Sequence, residues 1–128
     1  MKKITAISVA ILLMLTCFSS CTVTSGSYAF INSNENSGKD FWNITYDSFN
    51  GYKQREIILS DNGEHIFVIE IVTESGTLDV SITDSNGTHV YSGEELDTST
   101  FEVTVGSDEK YTITFEASDH IGSFSVNW

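Results

Sequence analysis

Gly76-Thr77-Leu78-Asp79-Val80-Ser81-Ile82-Thr83-Asp84-Ser85-Asn86-Gly87-Thr88-His89-Val90-Tyr91 has the pattern of a β-hairpin. Leu78, Val80 and Ile82 alternate with Asp79, Ser81 and Thr83, the period of a strand with one wet face. Asp84-Ser85-Asn86-Gly87 supplies turn chemistry, and Thr88–Tyr91 begins a returning strand. Two registers are open. A two-residue Asn86-Gly87 turn sets Ile82 opposite Tyr91. A three-residue loop, Ser85-Asn86-Gly87 with Gly87 left-handed, sets Ile82 opposite Val90. The second is preferred, because Asp84 suits the first position of a type I turn and Val90 then shares the core face.

The same rhythm continues on both sides of this hairpin. Trp42, Ile44 and Tyr46 alternate in Phe41–Ser48, Asn50-Gly51 reads as a turn, and Lys53–Leu59 reads as the next strand. In that strand either Arg55, Ile57 and Leu59 or Glu56 and Ile58 face inward. Asp61-Asn62-Gly63 turns the chain into His65–Val72, the most apolar run after the leader and a central strand covered on much of both faces. Glu70 lies within it and is expected to reach the rim or pair with Arg55. Ser92–Ser99 reads as a loop, and Phe101, Val103 and Val105 form a strand. Tyr111, Ile113 and Phe115 return, Ala117–Gly122 reads as a loop, and Phe124, Val126 and Trp128 close the chain. Strands recurring roughly every 8–12 residues, with no helical period after the leader, predict an all-β fold. The expected architecture is a two-sheet antiparallel β-sandwich, jelly-roll or immunoglobulin-like, of about eight strands.

The 128 residues allow one domain. The predicted division is a leader over 1–20, a flexible tether over 21–40 and the sandwich over 41–128. Thr22–Lys39 is rich in Ser, Asn and Gly, and its apolar patch Tyr28-Ala29-Phe30-Ile31 is either an edge strand or a spot that docks onto the domain. Asp plus Glu number 18 against 6 Lys plus Arg, and loss of Lys2 and Lys3 with the leader leaves 4. Such a surface repels phosphate backbones, which excludes nucleic acid and leaves cations, basic proteins and neutral polymers as partners.

Met1-Lys2-Lys3 followed by the apolar run Ile4–Phe18 has the form of a signal peptide. Its end, Phe18-Ser19-Ser20-Cys21, resembles the lipobox of bacterial lipoproteins. That resemblance implies cleavage before Cys21, lipidation of its thiol and display from the cell membrane, or from the outer membrane or into the periplasm of a two-membrane cell. Cys17 follows Thr16 and fits the pattern less well. Residues 22–128 hold no cysteine, which excludes disulfides and thiolate zinc sites there.

From His65 to Trp128 the chain resembles the pre-peptidase C-terminal family of small β-sandwich domains. The residues that carry this are Gly76-Thr77-Leu78-Asp79-Val80, the Asp84–Gly87 turn, Tyr111-Thr112-Ile113 and Gly122-Ser123-Phe124-Ser125-Val126. The resemblance implies an accessory or binding module without catalysis of its own.

Candidate chemistry is sparse. Asp84 and Asn86 offer oxygen ligands for calcium, Glu94, Glu95 and Asp97 form a second acidic loop, and Ser107-Asp108-Glu109 a third. No bidentate Glu follows at EF-hand spacing, and no cofactor is expected. Tyr52 and Tyr91, with whichever of Phe41 and Trp42 faces outward, are the candidates for an aromatic platform under sugar rings or a partner's apolar anchor. Asp119-His120, with His65 and His89 as other bases, is the remaining hint of a hydrolase, for which a serine would have to meet the histidine. Asn43-Ile44-Thr45 and Asn86-Gly87-Thr88 match the glycosylation pattern by chance. The expected role is therefore a lipid-anchored, non-catalytic structural or binding module, with a polysaccharide- or calcium-binding accessory domain as the alternative.

Overall fold

Three strands of unusual length carry the architecture. In the computed structural model, which describes residues 24–59, 63–106 and 110–128, the elements run β1 (Thr24–Ile31), β2 (Asn34–Ser37), β3 (Phe41–Ile58), β4 (His65–Thr83), β5 (His89–Gly93), β6 (Ser99–Val105) and β7 (Lys110–Asn127). The leader, with Cys17 and Cys21, lies outside the described residues, as do Asp108 and Glu109. All pairings are antiparallel, in the order β1-β3-β7-β4-β5, with β2 also on β3 and β6 also on β4.

This single hydrogen-bonded sheet folds over on itself. The first half of β3, the second half of β7 and the first half of β4 form one layer, edged by β2 and β6. Their remaining halves form the other layer, edged by β1 and β5. The crease falls where the ladders slip, at Tyr46 to Gly51 in β3 and at Thr73 to Thr77 in β4. A strand bends at such bulges without ending. Asn50-Gly51 and Ala117–Gly122, read from sequence as a turn and a loop, are therefore bends inside β3 and β7. Positive φ at Gly51, Asp119 and Gly122 lets the backbone make them, as it does at Gly76 for the bend in β4.

The crease leaves no room for side chains on two glycines. A Cβ at Gly76 would overlap the Asp119 carbonyl, and one at Gly122 the Val72 carbonyl oxygen. Between the layers, alternate residues interlock as the strand period requires. Phe115 of one layer stacks on Phe124 of the other at 3.7 Å between centroids, and Trp42 meets both rings edge-on. Each such fully buried aromatic contributes roughly 1.5–3 kcal/mol.

The N-terminal segment departs from the tether expectation. From Thr24 to Ile31 it pairs residue for residue with Arg55 to Ser48 of β3, and Phe30 stacks on Phe49 at 4.5 Å. The patch Tyr28–Ile31 is thus part of an edge strand. Glu35 of β2 ties the layers together, accepting from Trp42 Nε1 at 3.0 Å and from Lys53 Nζ at 2.6 Å. Lys53 itself lies over the Tyr28 and Phe30 rings. Of the two phases left open for Lys53–Leu59, the structure has Arg55, Ile57 and Leu59 inward. Glu70 does not pair with Arg55; it is exposed on the outer face between Ser125 and Thr100.

The Asp84–Gly87 turn forms as expected, with Gly87 N donating to Asp84 O and Gly87 at φ 80. The register of the arms differs. Thr83 pairs with His89, but a bulge then skips Val90 and sets Ile82 opposite Tyr91. The bulge leaves Val90 40% exposed and turns the larger Tyr91 ring onto Phe101 of the other layer, at 5.2 Å. Burying the larger apolar body outweighs the smaller valine.

Candidate functional site

The outer face of the layer edged by β1 and β5 is built by pairing five strands whose polar positions fall in step. One row runs Ser25, Gln54, Thr114, Ser81, Ser92 across β1, β3, β7, β4 and β5. The row beside it runs Ser27, Tyr52, Glu116, Asp79. Gln54 is held in the first row by donating to Ser25 Oγ at 3.1 Å while its oxygen accepts from Thr114 Oγ1 at 3.3 Å. Asp79 Oδ1 accepts the Glu95 amide at 2.8 Å, and Leu96 N donates to Leu78 O, which draws the 94–97 loop against β4.

Between these strands lies a shallow groove of about 190 Å³, whose polar lining includes Asp79, Ser81, His89, Ser92, Glu94 and Thr114. Tyr52 stands beside it, 42% exposed. The two rows contain no lysine or arginine, so the face presents carboxylate acceptors among hydroxyls and an amide that both donate and accept. This arrangement can hold a neutral ligand rich in hydroxyl groups.

The sequence-derived candidates fare unevenly against this geometry. Tyr52 is on the face, whereas Tyr91 is turned inward by the Val90 bulge and its hydroxyl pKa is raised by burial. Trp42 is fully buried and Phe41 partly so, hence neither joins Tyr52 in a platform. Asp84 is occupied by its own turn, its Oδ1 accepting from the amides of Asn86 and Thr88 at 3.0 and 2.9 Å. Glu94 lines the groove, the Glu95 backbone is tied to Asp79, and the Asp97 carbonyl accepts from Ser99. Among the described residues, no three His, Cys, Asp or Glu side chains gather where they could hold a metal ion.

His120 is not an exposed base. It is fully buried at the crease, with Nδ1 2.5 Å from the Tyr46 hydroxyl and Nε2 2.8 Å from Thr73 Oγ1. Thr73 spends its own proton on the Leu96 carbonyl, at 2.9 Å. Its oxygen must therefore accept from Nε2–H, which leaves Nδ1 to accept from Tyr46. The ring is neutral, burial lowering its pKa, and the same burial raises that of Tyr46. Both nitrogens are engaged and neither faces a serine, so the Asp119-His120 pair forms no triad.

No signal in any one segment marks Gln54, Ser81, Ser92, Thr114 or Glu116, because they come together only through strand pairing. No family model and no curated protein matches the chain. Solved structures similar to it include the carbohydrate-binding module TmCBM61 in complex with β-1,4-galactotriose, at 14% identity over 84% of this chain and 85% of that one, TM-score 0.48. A family 35 carbohydrate-binding module from Clostridium thermocellum is similar at 13% identity over 84% and 98%, TM-score 0.41. The enzymatically active domain of bacteriophage CBA120 tailspike protein 4 is similar at 14% identity and TM-score 0.44, this chain covering 18% of that one.

Proposed function

We propose that the chain is a non-catalytic binding module whose β1-β3-β7-β4-β5 outer face engages a neutral polysaccharide. The observation that carries this is the pair of side-chain rows across that face, hydroxyl and amide groups beside carboxylates and one exposed tyrosine. Sugar hydroxyls donate to carboxylates and exchange donor and acceptor roles with Ser81, Ser92 and Thr114. The Tyr52 ring offers an apolar face to the C–H side of a pyranose. The formal charge of −12 turns anionic polymers away, which favours a neutral one.

The test is retardation of the chain in gels containing soluble neutral polysaccharides. Tyr52→Ala is expected to weaken binding roughly twofold to thirteenfold, the loss of about 0.5–1.5 kcal/mol of aromatic contact. No retardation by any of them, or retardation unaltered in the variant, contradicts the reading.

The leader supports a second part of the proposal, that a lipid on Cys21 displays this module at the cell envelope. A cysteine carrying two or more acyl chains holds a protein stably on a bilayer without a spanning helix. Mass spectrometry of membrane-extracted protein is expected to find Cys21 as an acylated N-terminus. An unmodified N-terminus elsewhere sinks it.

A further inference from the structure

Two cations of β3 face inward, and the molecule treats them differently. Lys53 has a carboxylate at 2.6 Å and two aromatic rings beneath it. Arg55 is only 8% exposed, yet among the described residues no carboxylate lies within ion-pair distance of it. The hydrogen bond it makes among the described residues is a long one, Nη2 to the Gly38 carbonyl at 3.3 Å, and its buried Nε has no partner among them. Glu35, whose charge acts on Arg55, already has both oxygens taken by Trp42 and Lys53. A guanidinium carries five N–H donors in a fixed fork, and burying it unpaired is costly. Burial accordingly lowers the Arg55 pKa, while Glu35 acts to raise it.

Beside this group is an open cavity of about 200 Å³ that shares no lining residue with the groove. Arg55 forms one wall, with the Trp128 ring 5.3 Å from the guanidinium carbon. Exposed Ile58 adds an apolar wall, and Lys39 brings a second cation. The acid at its rim, Glu56, is paired with Lys110 at 3.2 Å. We propose that this cavity is a second ligand site, in which Arg55 and Trp128 take a single carboxylate carried on a small body. The planar carboxylate matches the guanidinium fork, and the Trp128 and Ile58 surfaces suit the C–H skeleton behind it. A volume of about 200 Å³ has room for one sugar acid or short organic acid. The acidity of the rest of the surface disfavours a polyanion.

The test is a titration of the full-length, ¹⁵N-labelled chain with sodium glucuronate, sodium butyrate, glucose and sodium chloride, followed at the Arg55 Nε–H and Trp128 indole N–H resonances. Saturable shifts at both groups with glucuronate or butyrate, and none with glucose or chloride, are expected. Glucuronate binding the more tightly marks a sugar acid as the source, butyrate an aliphatic acid. Arg55→Gln is expected to weaken binding at least tenfold. Should that variant fail to fold, Lys39→Gln at the exposed mouth is expected to weaken it twofold to fourfold. Absence of saturation with both acids, an equal response to chloride, or affinity unchanged in the variant that folds overturns the proposal. So does saturation that leaves the Arg55 and Trp128 signals unmoved.

Discussion

Gly122→Ala is expected to cost about 2–6 kcal/mol of stability, a large part of what holds a domain of this size folded. Two effects add. The φ of 148 lies where L-residues are strained, at roughly 1–3 kcal/mol. The new Cβ would also overlap the Val72 carbonyl oxygen, which is backbone and cannot swing aside, so β4 and β7 must part at the crease. Overpacking of that kind costs roughly another 1–3 kcal/mol. Gly87→Ala is the matched control, with φ 80 but nothing within 4 Å of the added carbon, and only strain of about 1–2 kcal/mol is expected there. Urea unfolding of the two variants beside the parent reads the difference. Equal losses would show that the two layers are not creased around Gly122.

His120→Ala is expected to cost about 3–4 kcal/mol and, with it, a pH dependence. Removing the ring leaves the buried Tyr46 hydroxyl without its acceptor and opens a void beneath it. The sign of the pH effect follows from burial, which holds the folded-state pKa of His120 below its ordinary value of 6.5. The unfolded chain thus binds the proton first. Stability is full above about pH 6.5, falls as pH drops below that value, and levels once the folded state also takes up the proton. An imidazolium at this site would point Nδ1–H at the Tyr46 hydroxyl, which now donates to it. Melting midpoints from pH 7.5 to 5 are expected to fall further for the parent than for His120→Gln, and parallel curves would remove His120 from the account.

Residue alternation shows in the sequence because burial is local to each strand. Trp42, Ile44, Phe67, Ile69, Leu78, Val80, Phe115 and Phe124 all face the core as their spacing requires. What happens between strands is less visible. Asn50-Gly51 and Ala117–Gly122 have the chemistry of reversals, yet positive φ serves a bend inside a strand equally well. His120 sits in one such bend among polar neighbours, and nothing local marks it as buried. Thr24–Ser37 lacks a clean period because its strands take their place from backbone pairing along the β3 edge. The binding face is legible least of all. Tyr52 stands out as an aromatic at an outward position, but Gln54, Thr114, Ser81 and Ser92 form a row only once the register of five strands is known.

Amide chemical-shift mapping of the chain against neutral gluco-, xylo- and galacto-oligosaccharides tests the polysaccharide-binding face. Saturable changes centred on Tyr52, Gln54, Ser81, Ser92 and Thr114 are expected with at least one of them. Silence with all of them, or changes confined to the opposite outer face around Asn43, Glu70 and Ser125, would contradict it.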